Sequence, residues 1–210
     1  MKKLIFFDLD GTLIEGNSWY EFNLYFGMSP AEDKTLMDWY NREIITYSEW
    51  DSIIVKILTE KNQCTSEKVK EFIKTIIPRP ETREVINACK EKGYTTIILS
   101  GTMKQIAEGF NEHVGADFVY TTSEIIFDAE GNFETIKNEK KEGLSKRMIF
   151  ERVCNEYGVN AEETIHVGDS RNDIEIFEKT EKGILIGNYE SLKPLAWKQI
   201  HSLNEVIELI

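Results

Sequence analysis

Leu4-Ile5-Phe6-Phe7-Asp8-Leu9-Asp10-Gly11-Thr12 is an apolar run that stops at two carboxylates, one residue apart, and then a Gly-Thr turn. The run has the length and composition of a buried strand. Two anions this close repel each other. A fold tolerates them at a strand end when a cation lies between them or when one of them does chemistry. The carboxyl ends of parallel strands are where α/β proteins build their sites. Taken alone, the residues also fit an ordinary turn, because Asp and Gly favour turns for backbone reasons.

Three later segments extend the pattern. Tyr94-Thr95-Thr96-Ile97-Ile98-Leu99-Ser100-Gly101-Thr102 is a second strand pattern, and it ends in a hydroxyl and a glycine. Ser100 offers that hydroxyl, and Gly101 lets a ligand approach backbone N–H groups. Lys146 stands at the start of a helical pattern in Gly143-Leu144-Ser145-Lys146-Arg147. Thr164-Ile165-His166-Val167-Gly168-Asp169 is a third apolar strand ending in Gly-Asp, and Asp173 follows four residues on. Singly, each has a plain explanation as a turn, a solvated lysine or a helix cap. Together they supply a carboxylate pair, a hydroxyl, a lysine and a further carboxylate, the inventory of a phosphate site with a divalent cation.

Asp8-x-Asp10-Gly11-Thr12, Ser100, Lys146 and Gly168-Asp169-Ser170-x-x-Asp173 resemble, in order, the four motifs of the haloacid dehalogenase superfamily. The layout is most similar to the phosphoserine phosphatase branch, which inserts a helical cap after the first motif. Lys140 and Lys141 compete for the third motif. Lys146 is preferred because it opens the helix from Arg147 to Tyr157, which leads into the fourth-motif strand.

The resemblance implies an α/β fold: a Rossmann-like parallel sheet with helices on both faces, plus an inserted α-helical cap. It implies a phosphatase that hydrolyses a small phosphomonoester through an aspartyl-phosphate. Asp8 would be the nucleophile, and Asp10 the acid and then the base. Mg²⁺ would be held by an Asp8 oxygen, the Asp10 backbone carbonyl, Asp169 and waters. Ser100, Gly101 and Lys146 would hold the phosphoryl oxygens. Asp173, Asn172 and Thr12 would support these groups from behind.

The bulk properties bound the reading. The chain has 210 residues, 41% hydrophobic, with a formal charge of −12. That length suits a core with an insertion. The acidic balance argues against nucleic acid or an anionic membrane as partner, since both select basic surfaces. A small phosphorylated metabolite stays compatible, taken up by a monomer or homodimer. Cys64, Cys89 and Cys154 are widely spaced with no zinc pattern, which reads as reduced thiols in a cytoplasmic protein. No stretch has the pattern of a signal peptide or the length of a transmembrane span. His166 lies in a buried-strand pattern and reads as a core or supporting histidine.

Along the chain, Glu15 to Ile77 is helical in pattern. Ile53, Ile54, Ile57 and Leu58 follow helical spacing, as do Val69, Phe72, Ile73 and Ile76. Pro78-Arg79-Pro80 breaks the chain. The expected division is therefore a core of 1–14 and 78–210 with a cap of 15–77. Beyond the break, strands and helices alternate. A helix from Pro80 closes at Gly93, a short strand covers Ala116 to Tyr120, and a hairpin covers Glu124 to Phe133. Thr164 to Val167 and Gly183 to Ile186 are the last strands, and Ser202 with Glu205 suggests a capping box for a short final helix.

Nine of the chain's 23 aromatic residues crowd between Trp19 and Trp50. Most are expected to pack the cap and a minority to shape the substrate site. The phosphoserine phosphatases carry an acidic residue soon after the first motif for the substrate ammonium, and a cap arginine for its carboxylate. Here Asn17 occupies the first position, with Glu15 nearby, and Lys56 is the only basic residue between Tyr47 and Ile57. Another small phosphomonoester is thus at least as well supported as phosphoserine. Arg171 has no assigned role. Two alternatives are kept: a phosphotransferase with the same phospho-Asp chemistry, and a phospho-accepting signalling module, against which the long cap and the carboxylate two residues past Asp8 argue. An interaction protein on a retired phosphatase fold is disfavoured because every catalytic position is filled. A dehalogenase is disfavoured by Asp10 and Asp169.

Overall fold

The computed structural model describes residues 2–138 and 142–210. Lys140 and Lys141 lie outside the described residues. Strand β1 (Lys3–Phe7) runs between β2 (Tyr94–Met103) and β5 (Ile165–Gly168), parallel to both. Beyond β2 lie β3 (Phe118–Phe127), parallel, and β4 (Phe133–Asn138), antiparallel. Beyond β5 lie β6 (Lys182–Ile186) and β7 (Lys198–Ile200), both parallel. The sheet order is β4-β3-β2-β1-β5-β6-β7.

Leu4, Ile5, Phe6 and Phe7 are all fully buried because β1 is covered on both faces. Ile5 and Phe7 join the cluster under helices α5 (Thr82–Glu91) and α6 (Lys104–Val114). Leu4 and Phe6 join the opposite cluster under α7 (Glu142–Tyr157), where Phe6 and Phe150 meet at 4.8 Å. The chain leaves β1 towards β2 on one side and later returns to β5 on the other. That reversal opens a crevice at the carboxyl end of β1, where Asp8 stands.

Four helices lie between β1 and α5: α1 (Ser18–Tyr25), α2 (Pro30–Asn41), α3 (Tyr47–Lys61) and α4 (Ser66–Ile73). Sequence sets their starts. Ser29 and Glu32 form a reciprocal capping box, as do Thr46 and Glu49. The fourth is capped by Thr65, whose hydroxyl accepts from Lys68 N–H at 3.3 Å. This insert shares one hydrophobic cluster with the sheet, through Phe22, Phe26, Phe72 and Phe110. A Cβ at Gly109 of α6 would lie 2.6 Å from Ile73 Cγ2, so the glycine is what lets the fourth helix close on α6. The insert also rests on the β3–β4 hairpin: Ser66 N–H donates to Gly131 O at 2.8 Å, and Asn138 Nδ2 donates to Asp51.

Four details differ from the sequence reading. The strand expected at Ala116 to Tyr120 and the first arm of the hairpin are one continuous strand, β3, bent by a register shift against β2. A seventh strand, β7, was not expected, because three residues carry no readable alternation. Helix α7 begins at Glu142, four residues before Lys146, which was expected to open it. At the last helix only half of the capping box forms: Glu205 accepts from Ser202 N–H at 2.8 Å, while Ser202 Oγ turns to Glu81 at 3.4 Å.

Candidate active site

The first-motif backbone turns at once after β1. Leu9–Leu13 form one wide turn closed by Ile14 N–H donating to Leu9 O at 3.1 Å. Gly11 has φ +72°, and a Cβ there would lie 2.1 Å from Asp169 Oδ2. Only glycine meets both demands, so the residue brings the β1 turn and the β5 end into contact. The turn is clamped from behind by the Pro78-Arg79-Pro80 break. Arg79 Nε donates to Thr12 O at 2.9 Å, and its Nη2 donates to Gly11 O at 3.0 Å. Thr82 Oγ1 donates to Leu13 O at 2.9 Å.

Asp8 is buried, and its Oδ1 accepts from Leu9 N–H at 2.8 Å. Lys146 Nζ lies 3.1 Å from the same oxygen. Burial raises the Asp8 pKa above the usual carboxylate range, against the lowering effect of Lys146. Asp10 is fixed by Ser18: the N–H reaches Oδ1 at 2.8 Å, and the hydroxyl reaches Oδ2 at 2.9 Å. Ser18 Oγ in turn shares a 2.6 Å hydrogen bond with Thr102 Oγ1. Burial, then the charge on Asp8, pushes the Asp10 carboxyl up to about 7.

Asp173 is saturated. Its Oδ1 meets Lys146 Nζ at 2.7 Å and His166 Nε2 at 2.8 Å. Its Oδ2 accepts from Asp169 N–H at 3.1 Å and Ser170 N–H at 3.2 Å. Burial opposes the charge here, but Lys146 and His166 hold Asp173 well below the usual range. Asp169 is the converse. Its Oδ1 is buried with no hydrogen-bond partner among the described residues. Burial, then the charges on Asp8 and Asp173, pushes its pKa up to about 8.

Asp8, Asp169 and Asp173 each place a carboxylate oxygen within 4.8 Å of the others. Four carboxylates, counting Asp10, thus crowd around one buried ammonium. The orphaned Asp169 oxygen and an all-oxygen donor set fit a hard divalent cation. Asp173 has its capacity spent elsewhere, so Asp8 and Asp169 are the pair with oxygen to offer.

Ser100, fully buried at a β2 irregularity, accepts from Thr102 N–H at 3.2 Å, which leaves its own proton to donate. The Gly101 carbonyl accepts from Trp19 Nε1 at 3.1 Å and Ser123 Oγ at 3.2 Å, fixing that peptide. Ser100, Gly101, Asp8, Asp10, Asp169 and Asn172 all line one cavity of about 520 Å³. Thr12 is buried behind it with no partner for its hydroxyl among the described residues. Arg171 is exposed and outside the cavity lining.

The far wall of the cavity comes from the helical insert. Trp19, Tyr20, Tyr40, Tyr47 and Trp50 line it, whereas Phe22 and Phe26 are buried in the core. The expectation that most of the nine aromatics only pack the insert is therefore corrected: five of them face the cavity. A helical apolar pattern identifies a buried face without saying whether a core or a cavity lies beyond it. Sequence reading also missed Ser18, Asn23, Asp33, Arg79 and Thr102. Their partners lie eight or more residues away, beyond the reach of a local pattern, and only a serine next to a helix start carried a local signal.

Among the described residues no helix is long and apolar enough to cross a membrane. Cys64, Cys89 and Cys154 are buried, and burial pushes each thiol up to about 12.

Residues 2–179 match the haloacid dehalogenase-like hydrolase family. A phosphoserine phosphatase from Methanocaldococcus jannaschii is 28% identical over 178 residues, 85% of this chain and 82% of that protein. A solved structure described as a phospho-aspartyl intermediate analogue of phosphoserine phosphatase superposes with a TM-score of 0.83. It is 28% identical and covers 100% of this chain and 99% of its own. A substrate-bound phosphoserine phosphatase complex matches with the same TM-score, identity and coverage.

Proposed function

Because the chain belongs to the haloacid dehalogenase-like hydrolase family, we propose a division of labour for its site in the hydrolysis of a small phosphomonoester through an aspartyl-phosphate. Its aspartate cluster and fold are those of a phosphohydrolase. The observation that carries the reading is the strand-end pair Asp8 and Asp169, with the Lys146 ammonium 3.1 Å from Asp8.

Asp8 attacks phosphorus through the carboxylate oxygen that Lys146 does not hold. The bond to the alcohol oxygen breaks, and Asp10 gives that oxygen its proton. In the second step Asp10 takes a proton from water, water attacks the aspartyl-phosphate, and Asp8 is released with inorganic phosphate. Ser18 aims Asp10 for both transfers, since it holds both carboxylate oxygens. The Ser100 hydroxyl and the charge of Lys146 offset the charge on the phosphoryl oxygens. Asp173 is a positioning residue: it fixes Lys146 and the Asp169 backbone together. Mg²⁺ held by Asp8 and Asp169 would neutralise the ester dianion that otherwise repels the nucleophile.

We read 15–77 as a cap that sets substrate shape over a catalytic core of 1–14 and 78–210. The aromatic wall and the catalytic carboxylates share one cavity, which supports that reading.

The test is phosphate release from p-nitrophenyl phosphate with EDTA and with Mg²⁺, alongside trapping of the phosphoenzyme. Chelation is expected to stop turnover and Mg²⁺ to restore it. Asp8→Asn is expected to lose turnover and the hydroxylamine-sensitive phosphoenzyme together. Full activity without metal, or a phosphoenzyme in Asp8→Asn, would overturn the assignment.

A further inference from the structure

We propose that the ester taken by this site carries a cationic nitrogen on its alcohol and no carboxylate, with the nitrogen seated among Asp33, Asn23 and the aromatic wall. The inference rests on the phosphatase reading and extends it to the substrate class.

The charges come first. Among the described residues lining the cavity are five carboxylates, Asp8, Asp10, Glu15, Asp33 and Asp169, and no Lys, Arg or His. Asp8, Asp10 and Asp169 belong to the phosphoryl end. Glu15 is exposed and reaches Arg79 at 3.3 Å. Asp33 is different: it is buried, and its partner is the neutral amide of Asn23, whose Nδ2 donates to Oδ1 at 3.0 Å. Among the described residues no basic side chain forms an ion pair with it. A carboxylate withdrawn from water without a cation is costly, and a cationic ligand removes that cost.

Asn23 adds a second, independent vacancy for a donor. The Asp33 carboxylate accepts only, so the Asn23 amide must present its NH₂ there, which fixes the orientation of the group. Its Oδ1 is then an acceptor. That atom is buried with no hydrogen-bond partner among the described residues, in a residue only 1% exposed that lines the same cavity. The position of Asp33 in the first turn of a helix would account for an acidic residue there. It accounts neither for the burial against the cavity nor for the unmatched amide oxygen.

The remaining wall is aromatic and continuous. Trp19 meets Trp50 at 5.4 Å, Trp50 stacks on Tyr47 at 5.8 Å, and Tyr47 meets Tyr40 at 6.1 Å. The faces of such rings attract cations, most strongly where water is excluded. The same wall gives a substrate carboxylate nothing to pair with. Lys56 is exposed, pairs with Glu60 at 3.9 Å and does not line the cavity. Asn17, at the position expected to be acidic for a substrate ammonium, uses its side-chain oxygen to cap a helix, accepting from Tyr20 N–H at 2.9 Å. Asp33 is therefore the carboxylate left to pair with a cationic nitrogen, and among the described lining residues none is basic to pair with a carboxylate.

The experiment compares catalytic efficiency on charged esters and their uncharged isosteres with wild-type enzyme and Mg²⁺. Phosphocholine is paired with 3,3-dimethylbutyl phosphate, and phosphoethanolamine with n-propyl phosphate. At least one charged member is expected to exceed its isostere by about tenfold or more, the scale of a desolvated cation–π contact with an ion pair, and O-phosphoserine is expected to rank below it. In Asp33→Asn, which keeps shape, that charged-to-uncharged ratio is expected to fall towards one. Trp50→Leu tests the wall separately and is expected to lower the same ratio. Ratios near one in the wild type, a ratio unchanged in both variants, or a preference for O-phosphoserine would overturn the inference and leave the phosphatase reading standing. Failure to turn over any of these esters or p-nitrophenyl phosphate would instead overturn the phosphatase reading, and the inference with it.

Discussion

Lys146 Nζ lies 2.7 Å from Asp173 Oδ1, and both side chains are wholly buried. The lysine is thus shared between Asp173, the proposed positioning carboxylate, and Asp8, the proposed nucleophile, 3.1 Å away. Removing one partner of a buried pair leaves the other charged and dry. Lys146→Met is expected to cost about 3–5 kcal/mol of stability. Asp173→Asn is also expected to destabilise, because one amide proton must face a donor. Urea titrations of both variants and the double variant check this. The double is expected to cost less than the sum by about 0.5–3 kcal/mol. Simple additivity would show that the pair does not act as a unit.

Asp10 is held by Ser18 at both oxygens, which suits the proton-carrier role proposed for it. Asp10→Asn is expected to slow turnover by about 10²–10⁴-fold, the usual contribution of general acid–base help. The loss is expected to grow with the pKa of the leaving alcohol: small for p-nitrophenyl phosphate, which leaves without a proton, and large for an alkyl phosphate. A loss independent of leaving group would remove Asp10 from the acid role.

Gly11 is where two motifs touch. An alanine methyl there would meet Asp169 Oδ2 at 2.1 Å and would sit on a backbone with φ +72°. Gly11→Ala is therefore expected to push Asp169 away from Asp8. A displacement of about 1 Å in such a site costs about 10²-fold in rate. Mg²⁺ titration of activity separates the causes: the half-saturating Mg²⁺ concentration is expected to rise as well as the rate to fall. A wild-type Mg²⁺ dependence would mean that the turn absorbs the methyl elsewhere.

The strand-end carboxylates were legible because each follows a continuous apolar run and so announces its own place in a sheet. Asp8, Ser100 and Asp169 needed only the rule that parallel strands share a carboxyl end. The clamp was not legible. Arg79 sits between two prolines and reads as a break, while its partners Gly11 and Thr12 are more than sixty residues away. Asp33 was hidden differently. In sequence it stands beside Glu32 as one of two acids in a first turn. The fold spends Glu32 on a capping box, with Oε2 accepting from Ser29 N–H at 2.7 Å, and buries Asp33 against Asn23. Local pattern assigns both to the helix start, and only tertiary packing tells them apart.

The crowding of carboxylates makes stability depend on pH and on metal in a linked way. Burial and the charge on Asp8 raise Asp10 to about 7, and burial with the Asp8 and Asp173 charges raises Asp169 to about 8. A carboxyl raised in the folded state contributes stability that is complete below its unfolded pKa and is lost as pH rises through the folded value. The metal-free protein is therefore expected to lose stability from about pH 4, the usual carboxylate value, up to about pH 8, the raised value of Asp169. Asp173 has the opposite sign. Lys146 and His166 depress it, so its contribution is present above the ordinary carboxylate range and is lost only in stronger acid. A divalent cation on Asp8 and Asp169 favours their ionised forms and competes with the protons that Asp169 otherwise keeps. The gain in Tm from saturating Mg²⁺ is thus expected to be larger at about pH 8 than at about pH 5.5. Thermal melts in EDTA and in Mg²⁺ across that range make the comparison, with Asp169→Asn as the variant that flattens both trends. A metal-free Tm that rises towards pH 8, or a Mg²⁺ increment that ignores pH, would show that these carboxylates are not the ones the cation relieves.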